Sequence, residues 1–185
     1  MTTAKNKILR LVLGDQLNIK HTWYTTVAPS VTYVLMEVRT ETDYAPHHIQ
    51  KVIGFFAAMQ NFAMELQQQN HQIIYIYLND EHNLQRFDEN CKALIEKYNF
   101  TKFEFQLPDE YRVDAHMKAF TEQLNIPFCV YDTEYFYSTR NELKELFADK
   151  KTYLMETFYR YMRKKHKVLL EDENKPMHGK WDFDE

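Results

Sequence analysis

The chain has 185 residues, of which 44% are hydrophobic and 27% charged, with five prolines, three glycines and a formal charge of −4. That length suits one domain with a proper core, and the composition excludes a disordered or low-complexity chain. The acidic balance argues against a whole-domain electrostatic grip on nucleic acid, and no apolar run approaches the roughly 20 residues needed to span a bilayer.

The N-terminus, "MTTAKNKILRLVLGD", sets a basic pair before a short apolar stretch that ends in Gly-Asp without a small-residue cleavage site. It reads as a first strand, 8–15, and not as a signal peptide, so a cytoplasmic protein is expected. The connection 16–30 has room only for a short helix around Trp23–Val27. A second strand follows at "VTYVLMEV" (31–38).

From His47 to Gln69, the residues Val52, Phe55, Phe56, Met59, Phe62, Ala63 and Leu66 recur at three- and four-residue spacings and make one apolar stripe of a helix. "QIIYIYLN" (72–79) is the third strand, and all three strands read as buried on both faces. Helices are then predicted over 83–99 and 111–125, each followed by a strand, "KFEFQL" (102–107) and "PFCVYDT" (127–133). Two more helices, 138–150 and 152–167, lead to a charged stretch without a clear period, "VLLEDENKPMHGKWDFDE", which reads as an extended connector.

Strand–helix–strand repetition with short loops requires parallel strands joined by right-handed crossovers. The fold class is therefore α/β: a Rossmann-like, doubly wound, five-stranded parallel sheet of order 3-2-1-4-5, with extra C-terminal helices. Ligands of such sheets sit outside the carboxyl ends of the strands, at the point where strand order reverses. Here that point lies between strands one and four. The loops gathered there are Gly14–Gln16, Glu37–Tyr44, Asn79–His82 and Pro108–Tyr111.

A phosphate cradle needs several glycines, and only Gly14 is available, with neither GxGxxG nor GxxxxGK[ST]. Asp15, Glu37, Glu41, Asp43, Asp109 and Glu110 would repel a phosphate. Carboxylates can accept hydrogen bonds from a neutral ligand, while Tyr44, Phe55 and Tyr111 can pack on a flat ring. The same acids can equally cap helices and solvate a loop rim, and composition leaves both readings open.

His47 and His48 are adjacent and so point in different directions. They suit local hydrogen bonding at a helix start better than the shared face of a metal pair. Ser138 lacks a nucleophile-elbow context, and Cys91 and Cys129 stand singly, as reduced core thiols do. "LMETFYRYMRKKHK" (154–167) mixes aromatics with Arg160, Arg163, Lys164, Lys165 and Lys167. The pattern fits nucleic-acid contact, but it fits better an amphipathic helix whose Leu154, Phe158, Tyr161 and Met162 pack inward. No catalytic constellation emerges from the residues themselves.

The stretches "LVLGDQL", "EVRTETDYAPHHIQKVIGFFAAM", "FAMELQQQNHQIIYI", "PDEYRV" and "METFYRYMRKKHKVLLEDENKPMHGKWDFDE" add a further signal. In order and wording they resemble the bacterial photolyase-related proteins, a group that includes iron–sulfur bacterial cryptochromes and prokaryotic (6-4) photolyases. The resemblance runs from about residue 8 to the end and departs at His178, where relatives often carry glycine. Phe55 is a second departure, its bulk narrowing the presumed site.

The resemblance implies a light-harvesting antenna domain that binds 6,7-dimethyl-8-ribityllumazine and passes excitation to FAD. The FAD and a 4Fe-4S cluster are expected in a following helical domain outside this chain, so this part alone is not expected to be catalytic. The implied division is an antenna domain over 1–135, helices packing on it over 136–168, and the start of an interdomain connector over 169–185. Carried over by motif, the chromophore site is Gly14, Asp15, Glu37, Glu41, Tyr44, Phe55 and Glu110. The implied partners are the FAD-binding domain of the same parent chain and, through the full-length protein, damaged DNA, with no membrane. The competing expectation is a stand-alone small α/β nucleotide-binding or regulatory protein.

Overall fold

The computed structural model describes residues 6–181. Its chain forms two compact units, one ending at Thr133 and one beginning at Glu134.

In the first unit, strands β1 (Ile8–Leu11), β2 (Val31–Met36), β3 (Gln72–Ile76), β4 (Lys102–Gln106) and β5 (Phe128–Tyr131) form one sheet in the order β3-β2-β1-β4-β5, every pair parallel. Between them run α1 (Arg39–Thr42), α2 (Ile49–Gln68), α3 (Phe87–Tyr98) and α4 (Tyr111–Thr121), and a 3-10 turn at Thr22–Tyr24. The predicted fold class, strand order and reversal point are therefore the observed ones.

Two hydrophobic layers clothe the sheet. Leu9, Leu11, Val34, Met36, Phe103 and Phe105 point to one face, against Phe87, Cys91 and Leu94 of α3 and Val113, Met117 and Phe120 of α4. Tyr33 and Leu35 point to the other, against Trp23, Tyr24 and the α2 residues Met59, Phe62, Ala63 and Leu66. This is the period-2 alternation of strands meeting the 3.6-residue stripe of helices.

The expectation that β3 is buried on both faces is corrected. It lies at the sheet edge, and its residues are half-buried or exposed, whereas β4 in the interior is the strand that is nearly sealed. Its apolar run resembled a central strand because both its faces meet a hydrophobic layer, Ile74 and Ile76 on one side and Ile73 and Tyr75 on the other, while the open edge leaves them part-exposed. Helix α3 also starts later than predicted, since 83–86 are used in a turn: Asn83 donates to Tyr77 O and Glu37 O, and Gln85 Nε2 to Leu78 O.

On the α2 face the core holds charge. Arg10 Nε and Glu104 Oε2 are 2.8 Å apart, Lys102 Nζ approaches Glu104 Oε1 at 2.7 Å, and the Arg10 guanidinium lies 4.8 Å from the Trp23 ring centre. Burial would push the Glu104 carboxyl up, but the bonds from Lys102 and Arg10 outweigh it and hold the group below the usual glutamate range.

The second unit holds α5 (Glu142–Leu146), α6 (Met155–His166), a two-stranded antiparallel hairpin of β6 (Leu170–Asp172) and β7 (Lys175–Pro176), and a 3-10 turn at Met177–Gly179. The stretch expected to be extended connector is thus locally folded through residue 181. Arg163 is buried and donates to the carbonyls of Val168, Leu169 and Trp181. Arg160 pairs with Glu156, and Lys165 with Glu142. Much of the basic run is therefore engaged inside its own unit. Phe158, Tyr161 and Met162 are half-buried, while Leu154 precedes the helix and is exposed.

Candidate functional site: a cleft at the carboxyl ends of the strands

Strand β1 ends in a tight turn, and the turn is built by Gln16. Its backbone N–H donates to Leu13 O (2.9 Å), its side-chain oxygen accepts from Leu13 N (3.1 Å), and its Nε2 donates to Gln106 O (3.2 Å). Those bonds tie the end of β1 to that of β4 and present Gly14 and Asp15 at the sheet's carboxyl edge. A buried strand runs into Gly-Asp-Gln here because the glutamine satisfies the backbone groups that the strand leaves open.

Above that edge lies a cleft whose empty space is about 850 Å³ with the part open to solvent included. Leu13, Met36, Val38, Val52, Phe55, Phe56, Met59, Phe87 and Val113 make its apolar lining; Asp15, Glu41 and Glu110 stand on one side, and Tyr44, His47 and Lys51 also face it. Six of the seven residues expected at the site (Gly14, Asp15, Glu41, Tyr44, Phe55 and Glu110) are brought together here.

Glu37 is not on this lining. It is buried beneath the end of β3, where its carboxyl oxygens accept from Gln60 Nε2 (2.8 Å), the Tyr75 hydroxyl (2.8 Å) and the Leu78 N–H (2.9 Å). Burial and the bond to Glu37 push the Tyr75 hydroxyl pKa far up. Tyr111 is 86% exposed and lies off the lining, as do residues 79–82.

The apolar stripe of α2 divides in two. Its second half, Met59 to Leu66, is buried in the core, while Val52, Phe55 and Phe56 of its first half face the cleft, Phe55 with 38% of its surface exposed. An apolar stripe that leaves the core and floors a cleft supplies a surface for a flat ring. His48 caps this helix, accepting from Gln50 N at 3.2 Å, and His47 Nδ1 lies 3.2 Å from Lys51 Nζ. The histidines bond locally, as their adjacency implied.

The carboxylates interact. Partial burial pushes the Asp15 carboxyl above its usual range, and the negative charges of Asp109 and Glu110 add to this. Burial likewise pushes Glu41 up; Arg112 pulls it back without cancelling the rise, and the charges of Glu110 and Asp15 add to the rise. Arg112, which sequence reasoning missed, donates from Nη2 to both Glu41 oxygens at 3.0 and 3.1 Å and from Nε and Nη2 to Glu110 at 2.9 and 3.0 Å. Its guanidinium carbon lies 4.3 Å from the Tyr44 ring centre. The one signal available was its place in "PDEYRV", one residue beyond the tyrosine that was singled out.

Chemically, this is an apolar floor with hydrogen-bond acceptors along one side. It has a single glycine approach and no phosphate cradle. Among the described residues no cluster of metal-ligating side chains occurs, and no helix is long and apolar enough to cross a membrane.

Fold and cleft together define a doubly wound α/β domain with a cleft at the carboxyl ends of its strands. The chain matches the family model described as "Deoxyribodipyrimidine photo-lyase-related protein" over residues 10–185. It is 33% identical over 177 residues to a (6-4) photolyase of Agrobacterium fabrum, an alignment covering 95% of this chain and 35% of that protein. It is also 25% identical over 141 residues to uncharacterized protein R852 of Acanthamoeba polyphaga mimivirus, covering 74% of this chain and 69% of that one. The chain belongs to the deoxyribodipyrimidine photo-lyase-related family. It spans about a third of the length of the Agrobacterium relative.

Proposed function

We propose that this chain is the light-harvesting part of a photolyase- or cryptochrome-related flavoprotein, and that its cleft binds the antenna chromophore 6,7-dimethyl-8-ribityllumazine. The observation that carries the reading is the split stripe of α2: Phe55 and its neighbours floor a cleft at the sheet's reversal point, with Asp15, Glu41 and Glu110 along one side. A neutral, flat, polyhydroxylated molecule matches that chemistry. Its ring would lie on the exposed side of Phe55, whose own ring packs over Gly14. Its hydroxyl and imide groups would donate to Asp15, Glu41 and Glu110, and Tyr44 would close the edge. Glu37 supports the sheet end behind this wall and is not assigned a ligand contact.

When bound, such a chromophore absorbs blue light and passes its excitation to a nearby acceptor. The residues of this chain then need only fix its position and orientation and exclude water. In this reading FAD and a 4Fe-4S cluster belong to a following domain of the parent protein. That parent is a light-dependent carbon–carbon lyase acting on damaged DNA in the cytoplasm, and this chain's partner is that FAD-binding domain. The proposed division keeps 1–135 as the antenna domain, 136–168 as its accompanying helices and 169–185 as the start of the connector.

The test is titration of the purified protein with the lumazine, followed by fluorescence anisotropy, with FMN and ATP as comparison ligands. Selective binding of the lumazine, weakened by Asp15→Ala or Glu41→Ala, supports the reading. Preference for ATP would favour a nucleotide-binding protein instead, and unchanged affinity in both variants would remove the proposed site.

A further inference from the structure

We infer that Arg112 is the positioning residue of the cleft, holding its acidic wall in place from behind without touching what the cleft binds. The inference deepens the reading above and rests on it for the ligand, but not for the wall.

The wall comes from two separate connections. Glu41 and Tyr44 follow β2, and Glu110 follows β4, on opposite sides of the reversal point. Nothing in the sheet's own ladder joins these segments. Arg112, in the first turn of α4, does so: its Nε and Nη2 grip the two oxygens of Glu110 as a fork, the same Nη2 reaches both oxygens of Glu41, its Nη1 lies 3.5 Å from Thr40 O, and its face covers Tyr44. Three of the side chains it holds line the cleft, whereas Arg112 lies in the adjacent groove with Arg86 and His116. A bidentate fork with a stacked face fixes direction as well as distance, which a lysine cannot do.

Charge adds a reason. Asp15, Glu41, Asp109 and Glu110 converge, and like charges would splay the two connections apart. The Arg112 guanidinium offsets that repulsion at Glu41 and Glu110. The segment it restrains, 39–48, is one short turn of helix followed by irregular chain, the kind of region that opens locally before the core does.

The experiment compares wild type, Arg112→Gln and Arg112→Lys by amide hydrogen exchange without ligand, and then by lumazine titration and dissociation rate. We expect Arg112→Gln to speed exchange across 39–48 several-fold while β1, β4 and the second half of α2 keep their protection. Lumazine affinity should fall roughly tenfold through faster dissociation, with Arg112→Lys intermediate. Unchanged exchange at 39–48, or an even rise along the whole chain, would overturn the inference. If the wild type fails to bind lumazine, the ligand reading fails, while the exchange pattern still decides the role of Arg112.

Discussion

The ring of Phe55 occupies the space that any side chain at residue 14 would need. A Cβ placed on Gly14 would lie 2.4 Å from Phe55 Cε1, 2.5 Å from Cζ and 2.8 Å from Met59 Sδ. Glycine is therefore required here for close approach. The atoms in the way are ends of side chains, so a methyl group would push the ring rather than break the backbone. We expect Gly14→Ala to cost about 1–3 kcal/mol and to drive Phe55 into the cleft, with loss of lumazine binding. In a Phe55→Ala background the same change should cost much less. A urea-unfolding double-mutant cycle measures this coupling, and simple additivity would contradict it.

Glu37 gives the second prediction. Glu37→Ala leaves Gln60 Nε2, the Tyr75 hydroxyl and the Leu78 N–H without their acceptor. A loss of about 3 kcal/mol is expected, with Glu37→Gln milder, because it still accepts but brings a donor to a site made for acceptance. Chemical denaturation checks the size. Affinity for lumazine, corrected for the folded fraction, should barely change, since Glu37 is off the lining. A fall as large as that of Glu41→Ala would return Glu37 to the ligand.

These two residues mark what the sequence makes legible. Alternation of apolar runs with 3.6-period stripes was enough for the sheet order and for the place where loops gather, and Gly14, Asp15 and Glu110 lie in those loops, while the full site set was implied by the family resemblance. Glu37 faces away because it follows Met36, and neighbouring residues at a strand end point to opposite sides. Arg112 was hidden for another reason: its partner Glu41 is 71 residues away, and a long-range side-chain tie leaves no periodic trace. The pairing of Arg10 with Glu104 beside Trp23 was equally silent, since the two partners stand 94 residues apart.

That buried network gives a pH prediction. Glu104 is held below the usual glutamate range, so it is more acidic folded than unfolded. Its contribution is therefore present above that usual range and is lost as pH falls through the folded value. Glu104→Gln should flatten the acid limb of a stability–pH curve. Arg10→Met removes one of the two cations that hold Glu104 and leaves Lys102 on it, so it should cost about 1–2 kcal/mol at neutral pH. Thermal melts between pH 7 and pH 3 would show both effects, and parallel curves for wild type and Glu104→Gln would refute the assignment.

His178 closes the chain's second unit in a conformation that its side chain resists. Its backbone has φ 56° and ψ 20°, the left-handed region, inside the turn Met177–Gly179. Glycine enters that region freely, and related proteins were expected to carry glycine at this position. A histidine with a Cβ is penalised there by roughly 1–2 kcal/mol. Its backbone N–H donates to Glu171 Oε1 at 3.0 Å, a bond that any residue can make. His178→Gly therefore keeps the bond and removes the strain, while adding freedom to the unfolded chain. The balance is a gain of up to about 1 kcal/mol, read as a higher unfolding midpoint in urea. His178→Ala keeps the Cβ and should show no such gain. Equal midpoints for the glycine and alanine variants would mean that backbone strain does not limit this turn.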